Sequence, residues 1–219
     1  MHRFYNQFLE FVDQEDKERC LDFILSKLKD NQIDIVTLYN EILTPVLNNF
    51  KCKESEQEFC IWKEHVRSSI IRTILECCYP YIIKERNAKY KFRPADTVVV
   101  FCPAEELHEI GPRMVADFFT LLGFNVTFVG ANTPWDNIKT AIEHIKPRYI
   151  AMSITNFYNL SVGSRTVSEL IQLRKQYNLE FKLIVGGQAF RSNPEFYKTM
   201  GADKLIQTFT ELKTLVGVA

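Results

Sequence analysis

Apolar positions in the first part of the chain recur at helical spacing, while those in the remainder fall in short solid runs. Phe4, Phe8, Phe11 and Val12 lie on one helical stripe, and Leu21, Ile24, Leu25 and Leu28 on a second. Asp34 stands where an N-cap belongs, ahead of Val36, Leu38, Tyr39, Ile42, Leu43, Val46 and Leu47, and Pro45 predicts a kink in that third helix. The polar segment KCKESEQ (51–57) reads as a turn, and a fourth helix is expected from Glu58 to Cys78, stopping before Pro80. Four such helices with short links predict a four-helix bundle over residues 1–90. The charged, aperiodic stretch KERNAKYKFRP (84–94) reads as the linker to a second domain over 91–219.

In that second domain the period changes. Thr97–Cys102, Val126–Val129, Tyr149–Ser153 and Lys182–Val185 are β-rich runs of the kind buried in parallel sheets, and a weaker strand is expected at Lys204–Ile206. Helical stretches near 112–122, 134–145, 163–177 and 193–200 separate them, and Glu211–Val216 closes the chain. This alternation predicts an α/β fold: a doubly wound, Rossmann- or flavodoxin-like, five-stranded parallel sheet.

Composition narrows the function. With 27 Lys and Arg against 27 Asp and Glu there is no basic field, so direct nucleic-acid binding is not expected. The charged N-terminus is unlike a signal peptide, and no apolar run approaches a membrane span, so a cytoplasmic protein is expected. The six cysteines (Cys20, Cys52, Cys60, Cys77, Cys78, Cys102) contain no CxxC pair and read as thiols rather than disulfides or a zinc site.

Ligands of open α/β sheets bind beyond the carboxyl ends of the strands. There the sequence puts Glu106, His108 and Gly111 after the first strand, Ser153 and Thr155 at the end of the third, and Gly186-Gly187 at the end of the fourth. Each alone has an ordinary structural use: a surface histidine, helix-capping hydroxyls, a turn. Together on one edge they point to a site, with an imidazole to bind metal, hydroxyls to meet a heterocycle, and glycines to let something bulky lie on the backbone.

The order His-x-x-Gly, Ser-x-Thr, Gly-Gly resembles the cobalamin-binding domains, whose pattern is Asp-x-His-x-x-Gly, Ser-x-Leu and Gly-Gly. Gly130-Ala131-Asn132-Thr133-Pro134, expected just after the second strand, and Gly201-Ala202-Asp203 extend the likeness. The helical half is similar to the cap that precedes this domain, in Ile42-Leu43-Thr44-Pro45-Val46-Leu47 and Glu64-His65-Val66-Arg67-Ser68. The resemblance implies cobalamin as cofactor, its adenosyl, methyl or hydroxo form left open. It implies His108 as the protein's metal ligand, replacing the cofactor's benzimidazole below cobalt (base-off binding), with Glu106 as the carboxylate behind it. Ser153 and Thr155 would contact the displaced base, and Gly186 and Gly187 would leave room for the nucleotide tail. His65 is expected either at the upper face of the cofactor or simply hydrogen-bonded on its helix. Trp62 is read as a core residue that could alternatively cover the cobalt. Arg113 and Arg165 are read as exposed, with corrin amides or the phosphate as alternatives, and His2 and His144 as solvated.

Two positions depart from the family pattern. Glu106 stands where the corrinoid methyl carriers mostly have Asp, and Glu there resembles the light-sensing regulators. Those regulators have a cap Trp where this chain has Glu54. The leading expectation is a non-enzymatic cobalamin or light sensor acting through a protein partner or self-association. The alternatives are a corrinoid carrier working with methyltransferases, a haem-binding sensor of the same fold, and a cofactor-free interaction domain. No nucleophile–base pair or phosphate loop marks an enzyme.

Overall fold

The computed structural model describes residues 3–52 and 54–218. Two compact units divide the chain, Met1–Ala88 and Lys89–Ala219.

The first unit is helical: α1 (Tyr5–Asp13), α2 (Lys17–Lys29), α3 (Ile35–Thr37), α4 (Thr44–Asn48) and α5 (Cys60–Lys89). Asp34 caps α3 as its sequence predicts, accepting from Thr37 N at 2.8 Å, and Glu85 of α5 accepts from Ile35 N at 3.0 Å. Between α3 and α4 the chain forms a π-turn, Leu38–Leu43. This is the form that the Pro45 disturbance takes. A proline ring crowds the carbonyl four residues back and brings no N–H, so the preceding turn widens to i→i+5 bonding, as in Thr44 N to Tyr39 O. The widened turn still buries Leu38, Tyr39, Ile42 and Leu43.

Three expectations fail in this unit. Helix α5 runs through Pro80 to Lys89 instead of ending at Cys78, which shortens the linker to a few residues. Pro80 lies on the exposed face, while Ile74, Leu75, Cys78 and Ile82 on the other face are buried. At about 1.5–3 kcal/mol for each large apolar side chain, that burial exceeds the ~3 kcal/mol an interior proline costs. The segment 51–57 is not all turn, since Glu54–Phe59 forms a 3₁₀ helix. Cys52 and Cys60, flanking it with Cα atoms 5.7 Å apart, form a disulfide rather than two thiols. Cys20, Cys78 and Cys102 are buried thiols as expected, and Cys77 is a half-buried one. Among the described residues no three metal-ligating side chains cluster, and no helix is long and apolar enough to cross a membrane.

The buried residue Arg67 ties the helices together. Its Nη2 donates to Asp13 Oδ1 at 2.5 Å, its Nη1 to Val46 O at 3.3 Å, and its guanidinium lies 4.7 Å from the centre of the Phe50 ring.

The second unit alternates strands and helices: β1 (Arg93–Pro103), α6 (Ile110–Leu121), β2 (Phe124–Thr133), α7 (Trp135–Ile145), β3 (Tyr149–Ser153), α8 (Leu160–Gln176), β4 (Lys182–Gly186), α9 (Phe196–Met200), β5 (Lys204–Leu205) and α10 (Phe209–Val216). All pairings are parallel, in the order β2-β1-β3-β4-β5. This is the doubly wound sheet the alternation predicts. The first two strands are longer than their apolar runs, because Arg93 pairs with Phe124 ahead of a register shift, and β2 continues to Thr133. Gly130–Thr133 therefore lies inside β2, not after it. Val99, Phe101, Ile150, Met152, Leu183 and Val185 join Ile138, Ile142, Val167 and Leu170 in one core cluster. Phe119, Phe124 and Tyr149 pack as an aromatic trio, with edge contacts of Phe124 to the other two.

Candidate functional site

Strand order reverses between β1 and β3, so the loops leaving these two strands part to opposite sides and open a crevice at the carboxyl edge. Glu106, in the loop after β1, has none of its surface exposed. Burial alone would push its carboxyl up, but a ring of donors outweighs it. Oε2 accepts from Asn156 N and Thr155 N, both at 2.9 Å, and from Asn159 Nδ2 at 3.2 Å. Oε1 accepts from His108 N at 3.0 Å and from His108 Nδ1 at 2.6 Å. The net effect holds the carboxyl below the ordinary glutamate range. One buried carboxylate thus fastens the loop after β1 to the loop after β3.

The same carboxylate decides what His108 offers. A carboxylate can only accept, so the proton of the neutral ring sits on Nδ1 and the lone pair on Nε2. The His108 side chain is 58% exposed, so its ring is open to an incoming ligand. A histidine whose other nitrogen is held by a carboxylate is the usual arrangement at a metal. Cys102 supports the loop from below, its thiol 3.6 Å from His108 O, and burial pushes that thiol up to about 12.

Ser153 ends β3 and is half-buried, as is Thr155 two residues on, with fully buried Ile154 between them. The glycines differ in kind. At Gly186 a Cβ would stand 2.6 Å from Ile206 O, and at Gly187, whose φ is +108°, it would run into the Ile154 backbone. Ile154 N donates to Gly186 O at 2.9 Å and Ala189 N to Ile154 O at 3.2 Å, so this pair lets the ends of β3 and β4 close on each other. Gly111 has nothing within 4 Å of its Cβ position. No neighbour in the fold requires it to be glycine, whereas something lying over the start of α6 would.

In the helical unit, Trp62 is 61% exposed, which corrects its reading as a core residue; its indole Nε1 is 3.5 Å from Glu15 Oε2. It stands three residues into α5 with its ring largely exposed, so hydrophobic size alone misassigned it. His65 is exposed and hydrogen-bonded on its helix, with Nδ1 2.8 Å from Glu64 Oε2. The side chain of Glu54, and His2, lie outside the described residues. His144 and Arg165 are exposed as expected. Arg113 instead lies 3.6 Å from Asp117 and over the Phe128 ring.

Sequence reasoning missed Asn156 and Asn159, and gave Asn132 no role beyond its place in the Gly130–Pro134 likeness; all three serve the carboxylate and its loop. Only the buried, side-chain-donating Asn159 distinguishes itself from an ordinary loop asparagine, and that burial is invisible before folding. It also missed Gly163, where a Cβ would strike the Ile154 side chain.

No curated protein sequence matches at a significant level. Among solved structures, the chain is similar to the monomethylamine corrinoid protein of Methanosarcina barkeri, with a TM-score of 0.79 at 14% identity over 97% of this chain and 96% of that one. It is also similar to a cobalamin-binding protein of Desulfitobacterium hafniense DCB-2, with a TM-score of 0.50 at 16% identity over 97% of both chains. These likenesses bear on the fold. The family model of the B12 binding domain matches residues 96–214, more than half of the sequence, from within β1 to within α10. The chain belongs to the B12-binding domain family, and cobalamin is its cofactor.

Proposed function

We propose that this protein holds cobalamin base-off, with Nε2 of His108 as the lower ligand to cobalt, and serves as a corrinoid carrier for methyl groups between methyltransferases. The Glu106–His108 contact carries the reading: a buried carboxylate at 2.6 Å keeps the ring's proton on Nδ1 and its lone pair on the exposed nitrogen. When bound, cobalamin supplies a cobalt centre that takes up and gives up an upper ligand.

The chain's own residues do the rest. Glu106 orients the imidazole and raises its basicity. Neither the Ser153 nor the Thr155 hydroxyl has a partner among the described residues, which leaves both for the displaced base. Gly186 and Gly187 bring the end of β4 close against the Ile154 backbone and put no side chain of their own in the path of the nucleotide tail, and Gly111 leaves the start of α6 open. Trp62 and His65, both exposed on α5, are the cap residues proposed for the upper face. On this reading a methyltransferase partner would do the catalysis.

Likeness over nearly the full length of a corrinoid protein supports the carrier reading. A cobalamin or light sensor is the second reading, supported by Glu rather than Asp at position 106. The family match is to B12 domains and lends nothing to haem or to a cofactor-free domain. The protein is expected to act inside the cytoplasm and to work through a protein partner or self-association. The test is to load it in dim light with hydroxo-, methyl- or adenosylcobalamin, desalt, and record spectra and molecular size before and after illumination. A carrier retains cofactor and keeps its size in the light. A light-driven change of size would replace the carrier reading with the sensor, and loss of every cobalamin on desalting would refute both.

A further inference from the structure

Asn132 stands near the end of the edge strand β2, where the register with β1 slips between Phe101↔Gly130 and Pro103↔Thr133. Its φ is +48°, a left-handed conformation that asparagine tolerates better than other side-chain-bearing residues. The slip and the positive φ aim this one residue across at the neighbouring loop. Its side-chain Oδ1 accepts from Glu105 N at 2.9 Å, and its own backbone N–H donates to Glu106 O, also at 2.9 Å. Glu105 is itself left-handed, with φ +68°. A glutamate held in that region is strained by about 1 kcal/mol or more and stays there only when its surroundings insist on it. The residue after it is the buried carboxylate, and two further on is His108.

We propose that Asn132 is a positioning residue for the lower ligand: its two hydrogen bonds hold Glu105 and Glu106 so that the carboxylate meets Nδ1 of His108. The proposal rests on the reading of His108 as the cobalt ligand. Asn132 is solvent-exposed and contributes nothing to the core, so a change there acts on the loop rather than on the fold. The backbone bond survives any substitution that keeps the φ; the side-chain bond does not.

The variants that separate these effects are Asn132→Gly, which keeps the left-handed backbone and loses the acceptor, and Asn132→Asp, which keeps both. In the cofactor-free protein, amide exchange at Glu105 is expected to quicken about fivefold in Asn132→Gly. Nitrogen-15 NMR of His108 is expected to change from one tautomer, protonated on Nδ1, to a mixture. Both signals return to the wild-type pattern in Asn132→Asp, and amide exchange in the β3–β4 core stays unchanged in both variants. Affinity for hydroxocobalamin is expected to fall about fivefold in Asn132→Gly and to be restored in Asn132→Asp. An unchanged tautomer and unchanged Glu105 exchange in Asn132→Gly overturn the proposal, and so does failure of Asn132→Asp to restore them. The ligation reading is judged separately, by the spectrum of bound cobalamin in His108→Ala. If that spectrum matches the wild type, ligation fails whatever the NMR shows.

Discussion

At the scale of single residues, the site turns on one buried charge. Glu106 makes every contact it needs only when ionised: its two oxygens accept from His108, Thr155, Asn156 and Asn159. Its folded-state pKa is held below the unfolded value of about 4.3, so its stabilisation is fully present above that value and drains away as pH falls through the folded pKa. Replacing it by Gln turns an amide N–H₂ toward groups that are themselves donors. Glu106→Gln is therefore expected to cost about 2 kcal/mol at pH 7 in the cofactor-free protein, with the difference shrinking below pH 4. Urea unfolding of both proteins across that range checks it; a constant difference would mean the charge is not what matters. The glycines give a second residue-level contrast. Gly187→Ala, strained in φ and facing the Ile154 backbone, is expected to lose ~3 kcal/mol of stability. Gly111→Ala meets nothing inside the fold and is expected to keep or gain stability, by up to ~0.5 kcal/mol. Its cobalamin affinity is nonetheless expected to fall about tenfold, by roughly 1.4 kcal/mol. A Gly111→Ala protein that binds as well as the parent would remove Gly111 from the site.

At the scale of elements, strand cores were readable, while the ends of β1, β2 and α5 were not. Short β-rich runs such as Tyr149–Ser153 mark the sheet core so strongly that the observed strand has those bounds. The ends of β1 and β2 lie outside the continuous apolar runs, and they pair across register shifts that no local pattern announces. Pro80 misled for the opposite reason: a local rule about proline was overruled by tertiary burial of Ile74 and Ile82 on the far side of the helix. The motif residues could be placed at the carboxyl edge in advance because each follows closely on a recognisable β-rich run. The contacts of Asn132, Asn156 and Asn159 could not, since an asparagine near a strand end says nothing about which backbone group it will meet. If α5 only tolerates its proline, Pro80→Ala restores a donor to the helix ladder and raises stability by ~1–3 kcal/mol, read from the denaturation midpoint. A loss of stability would show that the proline bend is itself packed against something.

At the scale of the whole molecule, a helical unit and an α/β unit share one chain, and the residues proposed to hold cobalt and nucleotide all belong to the second. Its sheet buries a core of its own, drawn from β1, β3 and β4 and the helices beside them. A fragment of residues 89–219 is therefore expected to unfold cooperatively by itself on heating, followed by circular dichroism; a gradual, featureless melt would show that the helical unit is needed for folding. Carrier and sensor differ in what happens after cobalamin is bound. His108 is common to both readings, and the most direct test addresses it alone. The full chain is produced with ¹⁵N in its histidine rings, loaded with unlabelled cobalamin, reduced to the cobalt(II) state, and examined by electron paramagnetic resonance. Lower ligation by His108 predicts that the superhyperfine lines from the axial nitrogen split as doublets, and that His108→Ala loses them. Triplets, the mark of the cofactor's own ¹⁴N base, would contradict the account.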